Sequence, residues 1–115
     1  MRFLGHVPAD VLSALYVTAS VFAYPSLHEG FGLPVLEAMA HGTAVVTSRG
    51  TATEEAAGGA AVLIDPADIE SIAAGLRTAL DDAPRLVRLG IERAAACSWE
   101  VTADATVECY REVAP

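Results

Sequence analysis

Short apolar runs rich in β-branched and aromatic residues recur along the chain, at Phe3-Leu4, Val21-Phe22-Ala23-Tyr24, Ala44-Val45-Val46-Thr47 and Ala61-Val62-Leu63-Ile64. None alternates apolar with polar residues. Each therefore reads as a strand covered on both faces, which suits a parallel sheet with helices on either side. The order strand, helix, strand, helix, strand, short turn, strand and then three helices predicts an α/β layered fold.

The helical patterns lie between and after these runs. Residues 8–18 open on Pro8 as a first-turn proline and carry Val11, Leu12 and Leu15 on one face. Residues 34–41 begin at Pro34 and stop at Gly42, a residue type suited to the left-handed position after a helix. Residues 50–61 read as a loop with a short helical turn around Glu54 and Glu55. Asp65, Pro66 and Asp68 then supply helix-start chemistry, and Ile69, Ile72, Ala73, Leu76 and Leu80 follow at helical spacing to about Asp82. Pro84 opens another helix through Leu86, Leu89 and Ala96, and Ser98 caps a last one striped by Trp99, Thr102, Thr106, Tyr110 and Val113.

At 115 residues this is one domain at most, able to bury roughly two thirds of the surface of its unfolded form. The net charge is −8, with seven arginines and no lysine. That balance argues against nucleic acid and anionic membranes as partners, and the missing lysine excludes a P-loop. Cys97 and Cys109 are too widely spaced for a Cys-x-x-Cys motif and have no histidine cluster beside them, so zinc is not expected and reduced thiols are. Residues 11–25 are apolar but interrupted by Ser13, Thr18 and Ser20, preceded by His6, Pro8 and Asp10, and too short to span a bilayer. No targeting segment is read there, and a cytoplasmic protein is expected.

The chemistry concentrates in residues 26–40, SLHEGFGLPVLEAMA. Tyr24 ends a strand, Ser26 to Leu33 make a turn, and Pro34 starts a helix, so the turn sits at the carboxyl end of a strand, where open α/β sheets bind ligands. Gly30 and Gly32 let a ligand approach the peptide N–H groups, and the helix behind them aims its positive end, roughly half a charge, at the same place. The result is an anion cradle. Glu37 is one turn into the helix with its side chain leaning back toward the cradle, and Glu29 approaches from the turn. Carboxylates repel phosphate but accept well from paired hydroxyls, so this arrangement fits a phosphate flanked by sugars, the shape of a nucleotide-sugar.

Rival motifs fail. A His-Glu-x-x-His metal site would need histidine where Gly32 stands, and a Gly-x-Gly-x-x-Gly loop would need glycine where Val35 stands. His28 reads as a rim residue, His41 as a group near a helix C-terminus, and His6, at a strand's carboxyl end, as a residue beside the cleft. On residues alone a blander reading also stands: a glycine-rich turn, a first-turn proline and a glutamate that only complements the helix dipole.

From Phe3 onward the chain resembles the C-terminal half-domain of retaining glycosyltransferases of family four, which have the GT-B fold. The matching pieces are FLGHVP, VFAYPSLHEGFGLPVLEAMAHGTAVVTS, AAVLIDP and CSWE, in the family's order. The hallmark is a pair of glutamates separated by seven residues, supplied by Glu29 and Glu37. The resemblance implies a Rossmann-like parallel sheet with flanking helices, an incomplete half of a GT-B C-terminal domain, spanning residues 1–115 with C-terminal helices at 84–113. It implies that Glu29, the catalytic position, hydrogen-bonds the donor sugar as an electrostatic and positioning group. Gly30, Phe31, Gly32 and Leu33 would contact sugar and diphosphate, Glu37 would hold the ribose hydroxyls, and Gly5, His6 and Val7 would lie near the base. Such enzymes transfer sugar from a nucleoside diphosphate with retention and usually without metal or other cofactor, the leaving diphosphate deprotonating the acceptor on the same face.

Ala44 and Glu54 stand where the family usually has proline. The family's acceptor-binding domain, and the donor domain's first two strands with their phosphate-binding Arg and Lys, have no counterpart in the sequence. Any membrane contact would come through that absent domain, and the acceptor is not identified. Met1 falls where the family often has valine, so a truncated gene or a start assigned inside a longer frame is expected. In the strand order 3-2-1-4-5-6, the Phe3 strand would match the third and the runs at Val21, Ala44 and Ala61 the fourth to sixth. A three-stranded core is then expected, with the Phe3 strand pairing non-natively, swapping or floating, and with a free edge at Val21 that invites self-association. Two further readings are a non-catalytic nucleotide-sugar-binding or interaction remnant, and another GT-B enzyme such as a sugar-nucleotide epimerase.

Overall fold

The computed structural model describes residues 1–114; Pro115, the last residue of the span read as one domain, lies outside the described residues. The elements are α1 (Ala9–Thr18), β1 (Phe22–Tyr24), α2 (Leu33–Ala40), β2 (Val45–Ser48), α3 (Ala52–Ala57), β3 (Val62–Ile64), α4 (Ile69–Asp81), α5 (Ala83–Ala96) and α6 (Trp99–Val113). The strands form one parallel sheet in the order β1-β2-β3, with Tyr24 opposite Thr47 and Ser48 opposite Ile64. This is the expected three-stranded Rossmann-like core, with β1 at its edge. Because all strands run the same way, the turn after Tyr24 and the loop after Ser48 share one end of the sheet.

Successive strand residues point to opposite faces, and every residue of β2 is buried. Val45 joins a cluster with Tyr16, Val35, Met39, Ala56 and Ala57, drawn from α1, α2 and α3. Its neighbour Val46 joins Ile64, Ala79 and Leu86, which bring in α4 and α5 on the other face. A helix layer on each side explains why the strand runs carry no polar alternation. Close approach is written into α4 at Gly75, where a β-carbon would collide with Ile64 Cγ2.

Helix ends follow their local chemistry. Asp68 accepts from the Glu70 N–H to cap α4, and Ser98 accepts from the Val101 N–H to cap α6. Gly42 takes φ +75° just beyond α2, as its position suggested.

Three expectations need correction. The Phe3-Leu4 run forms no strand: Phe3 is 87% and Leu4 48% exposed. The run has no backbone partner, the floating outcome among the three expected for it, since among the described residues nothing pairs with the outer edge of β1. In α1 the residue that reaches the core is Tyr16, while Val11, Leu12 and Leu15 are exposed, because the sheet ends at β1 and offers nothing beyond it to cover them. In α4, Ile69 and Leu80 face solvent, while Ile72 and Leu76 of the expected stripe pack against the core beside the buried Gly75 and Ala79.

The C-terminal helix is different again. No residue of α6 is buried, and Trp99 is 78% exposed. The radius of gyration, 15.6 Å, exceeds the roughly 13 Å of a compact chain of this length, and the longest extent is 56 Å. The compact part of the molecule therefore ends with α5.

Candidate functional site

The turn between β1 and α2 closes through its own side chains. The Ser26 N–H donates to the Tyr24 carbonyl at 2.9 Å, and the single proton of the Ser26 hydroxyl lies within reach of both Glu29 Oε1, 2.9 Å, and the His28 carbonyl, 3.0 Å. The Tyr24 hydroxyl donates to the same Glu29 Oε1 at 2.6 Å. These donors favour the ionised carboxylate, the tyrosine bond most and the serine bond next, and hold Glu29 below the usual carboxylate range. The same bond raises the Tyr24 phenol. Glu29 is thus an acceptor at neutral pH and no proton source.

At the turn's end Gly32 is the N-cap of α2, at φ +96°. A β-carbon there would meet Thr53 Cγ2 at 3.1 Å and Thr53 Cα at 3.2 Å, so both conformation and space require glycine. Having no side chain, Gly32 cannot cap the helix, and Pro34 removes one donor while fixing the first turn. Among the described residues, no protein acceptor takes the N–H groups of Gly30, Phe31, Gly32 or Leu33. Four unpaired donors next to a helix N-terminus make a place for an anion.

Glu37 stands exposed one turn into α2, and its Oε2 accepts from the Tyr16 hydroxyl at 3.2 Å. Tyr16 is only 5% exposed. Burial first, and the Glu37 charge second, push its phenol up to about 12. Glu37 also borders a groove of about 490 Å³ walled by Phe31, Leu33, Leu36 and Trp99. A larger groove of about 680 Å³ follows α6 past Phe31 to Tyr110 and touches neither glutamate.

Glu29, Gly30, Phe31, Gly32, Leu33 and Glu37 are thus assembled at one end of the sheet. Gly5, His6 and Val7 lie in the segment before α1, and among the described residues no hydrogen bond ties them to this site. His28 is exposed on the turn, and His41, at the C-cap of α2, sets its Nδ1 2.7 Å from the Glu37 carbonyl. Arg49, exposed after β2, makes no ion pair among the described residues and shares the sheet end with the turn. Glu54 has a local task, accepting from the Gly50 N–H at 2.6 Å. Sequence reasoning missed Tyr16, Tyr24 and Ser26; only the position of Ser26, three residues before Glu29, offered a signal. Among the described residues no group of three or more His, Cys, Asp or Glu is placed to hold a metal ion, and no helix is long and apolar enough to cross a membrane.

The family model described as Glycosyl transferases group 1 matches residues 1–82, which include the whole turn and both glutamates. The chain belongs to the group 1 glycosyl transferases. This group 1 member is 41% identical over 114 residues to O-antigen chain mannosyltransferase B of Escherichia coli, covering 96% of the chain and 30% of that protein. It is 43% identical over 110 residues to the MMP alpha-(1->4)-mannosyltransferase of Mycolicibacterium hassiacum, covering 90% of the chain and 27% of the relative. Among solved structures it is similar to sucrose-phosphate synthase from Thermosynechococcus elongatus, with a TM-score of 0.82 and 30% identity over 97% of this chain and 30% of that one. The chain spans under a third of the length of these relatives.

Proposed function

We propose that residues 1–115 form the donor-binding part of a retaining glycosyltransferase that takes its sugar from a nucleoside diphosphate-sugar. One observation carries this reading: four unpaired N–H groups at the start of α2 are flanked by two carboxylates, Glu29 and Glu37, each held by a tyrosine. The amides and the helix dipole receive the diphosphate, Glu37 takes ribose hydroxyls, and Glu29 takes hydroxyls of the transferred sugar. With Gly5 to Val7 near the base, the donor runs from that segment across the turn. As the bond to the diphosphate breaks, negative charge grows beside the N–H groups, which stabilise it, while Glu29 orients the sugar. The departing diphosphate then deprotonates the acceptor on the same face, giving retention.

Titration calorimetry of the full chain against UDP-, GDP-, ADP- and dTDP-sugars tests the donor class, with GDP-mannose tried first because mannosyltransferases stand among the relatives. Binding of one sugar nucleotide is expected, and no binding across the panel would remove the reading. Product anomers read by NMR test retention. One observation favours binding without turnover as a second reading: the chain has no lysine, which leaves Arg49, after β2, to meet a diphosphate at this end of the sheet. Hydrolysis or transfer detected with added acceptors would exclude it, and sugar isomerisation without acceptor would point to an epimerase. The free thiols Cys97 and Cys109 suit a cytoplasmic location. The uncovered edge of β1 makes self-association the accompanying expectation, read by light scattering.

A further inference from the structure

Three rings stand in series beside β1. Tyr16 meets Phe22 edge to face, with centroids 5.2 Å apart and planes at 80°, and Phe22 stacks on Tyr24 at 5.7 Å. Each end of the series carries a phenol, and each phenol donates to one of the two motif carboxylates, Tyr16 to Glu37 Oε2 at 3.2 Å and Tyr24 to Glu29 Oε1 at 2.6 Å. The chain has three tyrosines, so two of them are committed to these two glutamates. Packing alone does not ask for this, since phenylalanine would fill the same space without a hydroxyl to satisfy.

The carboxylate oxygens are not equivalent. Glu29 Oε1 accepts from the Tyr24 hydroxyl and lies 2.9 Å from the Ser26 hydroxyl, whose one proton it shares with the His28 carbonyl, while Oε2 has no protein donor among the described residues. Glu37 Oε2 takes one donor and keeps a lone pair, with Oε1 unengaged. The ladder is anchored at both ends: the Thr43 hydroxyl donates to the Tyr16 carbonyl at 2.5 Å, and the Thr47 hydroxyl donates to the Tyr24 carbonyl at 3.1 Å.

We propose that Tyr16 and Tyr24 are positioning residues which, through the shared Phe22, fix the two motif carboxylates relative to each other, so that Glu29 presents only Oε2 to its ligand while Glu37 presents both oxygens. This rests on the donor-binding reading for what the ligand is, but not for the ladder itself. A carboxylate held by one oxygen accepts from one sugar hydroxyl at a defined angle, which selects among epimers. A carboxylate with both oxygens available grips a vicinal diol, which suits ribose.

The test uses the full chain and three variants: Tyr16→Phe and Tyr24→Phe, which delete the hydroxyl and keep the ring, and Phe22→Leu, which breaks the ladder. Without ligand, 13C-carboxyl NMR follows the titration of Glu29 and Glu37. Tyr24→Phe is expected to raise the Glu29 midpoint; an unmoved Glu29 midpoint overturns the proposal. With GDP and GDP-mannose, or the pair that the wild-type chain binds, Tyr24→Phe is expected to weaken the sugar nucleotide on the order of tenfold and the plain diphosphate less than about twofold. Tyr16→Phe is expected to weaken both, and Phe22→Leu to reproduce the two losses together. Equal affinities in all three variants and wild type overturn the proposal. If the wild-type chain binds no nucleotide, the donor reading falls and the ladder is judged by the carboxyl titrations alone.

Discussion

Arg93 of α5 donates from its Nε to the Ala56 carbonyl at 2.8 Å, closing the C-terminal end of α3 from a distant part of the chain. A second guanidinium bond runs from Nη2 to the Glu55 carbonyl at 3.0 Å. Both acceptors are among the carbonyls that a helix leaves unpaired at its end, where positive charge is also favoured. Arg93→Ala should therefore destabilise the chain by about 1–2 kcal/mol. Arg93→Lys should recover only part of that, since a point charge cannot span two carbonyls. Urea unfolding followed by circular dichroism measures both.

Gly32→Ala should cost roughly 2–4 kcal/mol, combining a left-handed backbone with a β-carbon pressed against Thr53. Because that strain sits at the N-cap of α2, diphosphate affinity should fall as well. A variant with wild-type stability and affinity would show that this turn does not depend on glycine.

The two glutamates should separate by ligand. Glu37→Ala is expected to weaken plain nucleoside diphosphate on the order of tenfold, whereas Glu29→Ala should change it less than about twofold and act on the sugar nucleotide instead. Calorimetry of both variants with both ligands decides, and the reverse pattern would exchange the roles.

Tyr16 makes alkaline stability a readout of its burial first and of the neighbouring Glu37 charge second. Its phenol titrates at 10.0 when unperturbed and at about 12 in the fold, so the folded state holds the proton more tightly. The contribution is complete below pH 10 and is lost as pH rises toward 12, an effect of roughly 2–3 kcal/mol. Between pH 9 and pH 12 the melting temperature of wild type should fall more steeply than that of Tyr16→Phe, which has no phenol to ionise. Parallel curves would show that the phenol is not held in this way.

What could be read ahead of the structure was local. The runs at Val21, Ala44 and Ala61 became β1, β2 and β3 because buried strands announce themselves by unbroken apolar character, and caps such as Asp68 and Ser98 act on neighbours only two or three residues away. The Phe3-Leu4 run carried the same character but had no partner strand. The exposed face of α1 shows the same limit, since periodicity tells which side is apolar and not whether anything covers it. At the site, the turn and both glutamates were legible as a motif. The tyrosines were not, because the bond from Tyr16 to Glu37 exists only once α1 and α2 lie side by side.

The lack of any buried residue in α6 bears on how the molecule comes apart. A helix of 15 residues, none of them buried, is close to the length at which helices in water are marginal, and here the Ser98 cap and its own backbone ladder sustain it. Its amide protons should exchange with deuterium through fraying that leaves the sheet intact, orders of magnitude faster than those of Val45 and Val46, which need global opening. The chain then holds two cooperative units of unequal depth, and a thermal melt monitored at Trp99 would report the shallow one while missing the deep one.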